Sequence, residues 1–197
     1  MLKKCIAAMG IALVSGGAAA SPPPIEDFVR HPTYSTAKIS PDGQYLAMTV
    51  DRGEQDVLTV LRTRDMSIVK INQLPEQKSV GSFHWVSPNR LMFNSIRKFG
   101  RFARPFGTGE WYGVNADGSQ PRALVFFGTR DVTQRGKQVK GSFSLLDTLE
   151  DDDQNVLMSV SYPRSADGVG TEVVLFDTIA GSWKTVAKAP RENCSIS

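Results

Sequence analysis

An all-β fold is predicted for this sequence, on three observations. A four-strand pattern recurs about three times along residues 34–190. Each copy opens on a strand that ends in a tight turn rich in Ser, Pro, Asp and Asn. No stretch past Ala20 holds a sustained helical period. Four short strands repeated every ~45 to 65 residues is the pattern of β-propeller blades. The expected architecture is therefore an incomplete β-propeller of about three four-stranded antiparallel blades after a signal peptide. A β-sandwich also gives short strands at this spacing, but it does not explain a turn that returns at the same place in every unit.

The first twenty residues stand apart from the repeats. Lys3 and Lys4 form a positive start, Cys5 to Val14 is apolar, and Ser15 to Ala20 is rich in small residues. Ala18 and Ala20 satisfy a signal peptidase, so cleavage after Ala20 is expected and the mature chain begins at Ser21. The apolar run is too short for a membrane span, which needs roughly 20 residues. Cys5, preceded by Leu2-Lys3-Lys4, does not resemble a lipid-attachment cysteine. The expected location is exported, periplasmic or secreted, with no membrane attachment once the signal is removed. Ser21 to Thr33, with three prolines and two acids before Phe28, reads as an extended lead-in.

The first blade is expected at about 34–75. Thr36 to Ile39 is its first strand and Ser40-Pro41-Asp42-Gly43 its turn, with Pro41 presetting φ and Gly43 accepting the exit geometry. Tyr45 to Val50 follows, apolar at Tyr45, Leu46, Ala47, Met48 and Val50 as a strand between two layers would be. Val57 to Leu61 is the third strand, Thr63 to Ser67 a turn, and Ile68 to Ile71 the fourth. The second blade, about 80–127, runs from Ser82 to Val86 through the turn Ser87-Pro88-Asn89 into Leu91-Met92-Phe93. After an insert, Lys98 to Gly109, it resumes at Trp111 to Val114. It turns at Asn115-Ala116-Asp117-Gly118 and closes with Ala123 to Phe127. The third blade, about 139–188, opens with Phe143 to Leu149 after a polar stretch, Gly128 to Gly141. It turns at Asp151-Asp152-Asp153, continues with Val156 to Val160 and Val173 to Phe176, turns across Asp177 to Gly181, and ends with Trp183 to Val186. Residues 34–190 thus form the partial propeller, and 191–197 a short tail.

Charge excludes little and suggests less. The chain carries 23 basic and 20 acidic side chains, net +3. Losing Lys3 and Lys4 leaves 21 against 20, or +1. That gives no footprint for nucleic acid or an anionic membrane. Cys194 is the one cysteine left after signal removal. Either its partner lies in sequence beyond these residues or it is a buried thiol.

The unit Ile39-Ser40-Pro41-Asp42-Gly43-Gln44-Tyr45-Leu46-Ala47 resembles the repeat of TolB-like propellers and of the propellers of prolyl oligopeptidase-type serine peptidases. The lead-in Ile25-Glu26-Asp27-Phe28, the run Phe83-His84-Trp85-Val86-Ser87-Pro88-Asn89-Arg90-Leu91 and the acidic turn before Val156-Leu157 resemble secreted bacterial members of the acylaminoacyl- and dipeptidyl-peptidase branch. The resemblance covers about residues 25–190. It implies a seven- or eight-bladed propeller that restricts access to an α/β-hydrolase domain with a Ser-Asp-His triad. Three blades and no hydrolase domain are legible here, so the expected function is that of a non-catalytic N-terminal propeller part. Its partners would be a peptide substrate or the hydrolase domain of a full-length relative. The alternatives are a stand-alone periplasmic TolB-like binding module and a small β-sandwich.

The catalytic expectation is none. The G-x-S-x-G elbow that exposes a nucleophilic serine does not occur; Gly81-Ser82-Phe83 and Gly141-Ser142-Phe143 enter strands instead. His31 sits in the proline-flanked lead-in and His84 beside Trp85, both in structural or surface roles. Two separated histidines and one cysteine give no zinc spacing. Glu150-Asp151-Asp152-Asp153 has oxygens for calcium but reads better as a solvated turn, and Gly107 and Gly109 open no helix that would cradle a phosphate. No metal and no cofactor is expected. The most conspicuous stretch is Arg97 to Phe106, where basic and aromatic residues interleave. It is expected to be a long loop on one propeller face with its phenylalanines packed down, and with Arg97, Lys98, Arg101 and Arg104 as candidate substrate- or partner-contacting residues, rather than a nucleic-acid site. A three-blade array also leaves its two end faces uncovered, with Leu46, Met48, Leu157 and Met158 at risk, so poor stability is expected.

Overall fold

The computed structural model describes residues 33–53, 55–75, 77–99, 104–125, 141–162 and 170–189, with the backbone of 132–134 and 137–139. The expected signal peptide, the start at Ser21, and His31, Arg101 and Cys194 lie outside these residues. The chain divides into Met1–His31 and Pro32–Ser197, and the described residues all fall in the second unit. Its described residues contain strands and no helix.

Three four-stranded antiparallel sheets follow one another along the chain, each a plain meander. Sheet 1 is β1 (Tyr34–Ile39), β2 (Tyr45–Asp51), β3 (Asp56–Arg62) and β4 (Ile68–Asn72). Sheet 2 is β5 (Ser79–Ser87), β6 (Arg90–Arg97), β7 (Phe106–Asn115) and β8 (Arg122–Val125). Between it and sheet 3 lies a two-stranded pair, β9 (Val132–Gln134) and β10 (Lys137–Val139). Sheet 3 is β11 (Ser142–Asp147), β12 (Asn155–Ser161), β13 (Thr171–Asp177) and β14 (Trp183–Lys188).

The recurrence extends to single hydrogen bonds. At the turn between the first two strands, the first residue of the second strand donates its N–H to a turn side chain. Tyr45 N bonds Ser40 Oγ at 3.0 Å, Arg90 N bonds Ser87 Oγ at 3.1 Å and Asn155 N bonds Asp152 Oδ1 at 2.8 Å. A second backbone bond ties the two turns at that end of each sheet: Thr63 N to Gln44 O at 3.0 Å, Ala116 N to Asn89 O at 2.9 Å, Thr178 N to Gln154 O at 3.0 Å. The turn between third and fourth strands is capped by an aspartate accepting from the backbone N–H two residues on. These are Asp65 from Ser67 at 3.1 Å, Asp117 from Ser119 at 2.8 Å and Asp177 from Ile179 at 2.8 Å. Short Ser and Asp side chains suit this because they compete for local N–H groups. Gly43, Gly118 and Gly181 exit their turns at φ 75°, 85° and 68°, where a Cβ is strained.

Packing follows the same order. One buried cluster joins sheets 1 and 2: Ala47, Leu58 and Val60 meet Val80, Phe83, Trp85, Leu91, Phe93 and Val114. A second joins sheets 2 and 3 through Met92, Trp111, Leu124 and Val125 against Phe143, Val156, Met158, Val174, Phe176 and Trp183. Within β6, Leu91 and Phe93 serve the first cluster and Met92 the second, so period-two alternation gives the middle sheet two buried faces. Each seam carries a tryptophan N–H bonded to a neighbouring sheet's carbonyl at 3.1 Å, Trp85 to Lys38 O and Trp111 to Phe143 O. Arg90, 3% exposed, crosses the second seam to Thr178 O while also bonding Asn115 Oδ1 and Gln120 O.

Three expectations need correcting. Met158 is not at risk: it points into the second seam and is fully buried, because Val156, Met158 and Val160 share the inward face of β12. Leu46, Met48 and Leu157 are half-buried on the other faces of their strands. Strands buried on both faces include β3, from Val57 to Val60, and β6, from Arg90 to Phe93, whereas β2 buries fully only Ala47 and Thr49, on one face. The insert is shorter than Lys98 to Gly109, since the ladder pairs Arg97 with Phe106 and Ile96 with Gly107, making Phe106–Gly109 part of β7.

Candidate functional site

The polar side chains gather at the end of sheets 1 and 2 opposite the Asp-capped turns. The hairpin from β2 to β3, the link from β4 to β5 and the open end of β6–β7 meet there. Glu110, on β7 and 5% exposed, is the centre. Lys78 Nζ approaches its two carboxylate oxygens at 2.9 and 2.7 Å. Ser95 Oγ and Tyr112 OH donate to Oε2 at 3.0 Å each. Thr108 Oγ1 bonds Ser95 O at 3.1 Å and lies within hydrogen-bond distance of Ser95 Oγ. Ser95 faces Thr108 and Glu110 because β6 and β7 are adjacent strands of one ladder.

Burial works hardest on Glu110, opposing its charge. Bonds from Lys78, Tyr112 and Ser95 outweigh it, and the carboxyl is held below its usual range. Tyr112 moves the other way: burial, then the Glu110 charge beside it, holds the phenol above its ordinary value. A second ion pair crosses the seam between the sheets, Lys98 Nζ to Asp56 Oδ1 at 2.6 Å. Ser79 Oγ accepts from Asp56 N at 3.0 Å, and Gln55 Nε2 reaches Lys78 O at 3.3 Å. Each side chain so assembled has a partner. The arrangement fixes the link between the sheets and presents no activated nucleophile.

The candidate contact residues sort themselves against this network. Arg97 is the last residue of β6, opposite Phe106 on β7. Lys98 is committed to Asp56. Arg104 is exposed, and Arg101 lies outside the described residues. The expectation that the phenylalanines pack down is overturned for Phe99 and Phe106, which stack on one another, ring centres 5.2 Å apart and planes 11° apart, while 61% and 46% exposed. The i, i+7 spacing of two phenylalanines across a hairpin mouth was the available signal.

His84 stands on β5, paired with Met92 on β6. Burial, then the charge of Lys38, lowers its pKa to about 4, so it is neutral at physiological pH. Ser40 does donate to Asp42 Oδ1 at 2.6 Å, but Asp42 also accepts from Gln44 N at 3.1 Å, and the pair caps a turn. Asp152 is likewise absorbed in its turn, accepting from Gln154 N at 3.0 Å and Asn155 N at 2.8 Å. Among the described residues no group of three or more His, Cys, Asp or Glu side chains is placed to hold a metal ion. No helix there is long and apolar enough to cross a membrane.

No protein-family model matches the chain, and neither does any curated protein. Solved structures resemble it at low identity. A candidate conserved lipoprotein from Clostridium novyi NT is 16% identical with TM-score 0.40, over 83% of this chain and 90% of that one. A functionally unknown protein from Desulfotomaculum acetoxidans DSM 771 is 10% identical with TM-score 0.30, over 80% of this chain and 58% of that one. Likeness at that level says nothing of activity or location.

Proposed function

We propose that the chain is a run of three propeller blades from an exported protein, working as a non-catalytic module that binds peptides or restricts their access. The carrying observation is the repeated seam. Sheets 1 and 2, and sheets 2 and 3, each pack face to face through a buried apolar cluster, as successive blades do in a propeller. The middle sheet reaches both neighbours with a tryptophan, Trp85 of β5 to Lys38 O and Trp111 of β7 to Phe143 O. The signal-like segment 1–20 supports export. The likeness of Ile39 to Ala47 to prolyl oligopeptidase-type repeats supports a peptide as what is handled.

Acyl transfer needs a serine activated by a histidine, the histidine oriented by a carboxylate, and an oxyanion hole. On this reading Ser40, Asp42 and His84 are not that set, because Ser40 and Asp42 close a turn and His84 lies on a different sheet. The full chain is to be expressed with its leader, fractionated, and incubated with chromogenic Ala- and Pro-containing peptides. Periplasmic or secreted material starting at Ser21 and hydrolysis at the buffer rate are expected. Turnover abolished by a fluorophosphonate that labels a serine of this chain would contradict the reading, as would exported protein still beginning at Met1.

A further inference from the structure

We infer that a second copy of this chain covers the two end faces, the pair closing head to tail into a ring of six sheets. The inference rests on the blade reading above and not on what the module binds. Counting from the first residue of each second strand, Tyr45, Arg90 and Asn155 hold equivalent places. At the next position sheets 2 and 3 each carry an apolar row in direct cross-strand register. The rows are Trp85, Leu91 and Val114 in sheet 2 and Val156, Phe176 and Trp183 in sheet 3. Every member is buried in the seam with the preceding sheet. Sheet 1 has the same row, Ile39, Leu46, Leu61 and Ile68, across all four strands, and paired residues share a face. Its ends, Ile39 and Ile68, are 63% and 61% exposed, and Leu46 and Leu61 are half-buried.

One position further on, each second strand carries half of the cross-strand pair that receives such a row from the next sheet. In sheet 1 the pair is Ala47 with Val60, both in the first seam. In sheet 2 it is Met92, in the second seam, with Gly113, whose ideal Cβ lies 3.0 Å from Thr178 O at the end of sheet 3. In sheet 3 it is Leu157 with Leu175, half-buried on the face turned away from sheet 2. The stack therefore presents a row on one end face and a receiving pair on the other. Exposed apolar surface of this kind marks an interface, and the register names its occupant: a row fits a receiving pair, and a second copy supplies both. Propellers close with about 4 to 8 blades, so three sheets do not close on themselves and two copies give six. The contact is heterologous, row to pair, and a two-fold axis makes it twice and leaves no end face over. Val57 and Thr59 are already buried on the outer face of sheet 1. The contact is made away from them, beside the turns at Asp42 and Asp65, where the row lies.

The test is sedimentation velocity of the full chain, expressed with its leader, over a concentration series. A single chain giving way to a species of two copies is expected as the concentration rises through the micromolar range. Ile68→Glu, on a side chain mostly in solvent, and Leu157→Glu, on the other end face, are each expected to weaken pairing more than about tenfold at unchanged circular dichroism. An equimolar mixture of the two variants is expected to pair better than either alone, because it holds one intact row and one intact receiving pair. A single chain at every concentration, masses that grow past two copies, a pair that survives either variant, or a mixture no better than its components would overturn the inference. The blade reading fails separately, since it is read by hydrogen exchange within one copy of Ile68→Glu. The seam between copies separates on dilution, so in dilute chain the end sheets still open first.

Discussion

A buried carboxylate is tolerated only where donors surround it, and Glu110 has Lys78, Ser95 and Tyr112. The two members of the ion pair are not equally dispensable, since their side chains are 19% exposed for Lys78 and 6% for Glu110. Removing Lys78 strands the deeper charge, whereas removing the Glu110 charge strands an ammonium that water partly reaches. Lys78→Met is therefore expected to destabilise by about 3 to 4 kcal/mol and Glu110→Gln by about 2 kcal/mol, read by urea unfolding of the full chain. The reverse order would mean that Lys78 carries the desolvation. His84 sets the acid limb. Its folded pKa is lowered from 6.5 to about 4, so between those values the unfolded chain holds the extra proton. Stability is then greatest above pH 6.5 and falls as pH drops toward 4, by at most ~1.4 kcal/mol per pH unit from this group. From about pH 4.5 downward Glu110 adds its own loss, because the unfolded carboxyl takes up a proton that the depressed folded one still refuses. Urea midpoints measured from pH 7.5 to 4.5 are expected to decline, and more shallowly in His84→Gln.

Within an element, the cost of a side chain depends on what its backbone position faces. Gly43 sits at positive φ with open space around an added Cβ, so Gly43→Ala adds only backbone strain, about 1 kcal/mol. Gly113, on β7, faces Arg90 Nη2 at 2.5 Å and Thr178 O at 3.0 Å from an ideal Cβ. Gly113→Ala must push Arg90 out of the second seam, so a loss of about 3 kcal/mol or more is expected, against the smaller loss at Gly43, in parallel thermal melts. The four-strand units were legible because their turns are local: Ser40-Pro41-Asp42-Gly43 and Asn115-Ala116-Asp117-Gly118 carry their own hydrogen-bond donors and acceptors. The strand edges were less so. Phe106 to Gly109 contains two glycines and no alternation, and only pairing with Arg97 and Ile96 makes it strand. The β9–β10 pair was missed for the same reason, lying in a polar stretch with no hydrophobic period. Glu110 and Lys78 are 32 residues apart, a separation at which composition carries no sign of contact.

Across the described sheets two seams are closed, and the outer faces of the end sheets are unevenly covered, with Val57 and Thr59 of β3 buried on the face of sheet 1 turned away from sheet 2. Leu46 and Met48 on sheet 1 and Leu157 and Leu175 on sheet 3 lie on the faces turned away from sheet 2 and are only half-buried. Ile39 and Ile68 on sheet 1 and Val186 on sheet 3 are each more than 60% exposed. At ~25 cal/mol per Å² a few hundred Å² of such surface is comparable to a domain's whole stability margin. A stack of this kind opens from its ends, since an end sheet has one seam to break and the middle sheet has two. Period-two alternation made the faces of each strand readable, but not which face would find a neighbour, and that is why Met158, expected to be uncovered along with Leu157, is buried instead. Native-state hydrogen exchange of the full chain measures this hierarchy directly. The slowest amides should be those of β6 and β7, around Leu91 to Phe93 and Trp111 to Val114, with β2–β3 and β12–β13 exchanging faster by opening of the end sheets. Slowest exchange in β2–β3 or β12–β13, with β6 no better protected than they are, would contradict three sheets packed in series as blades.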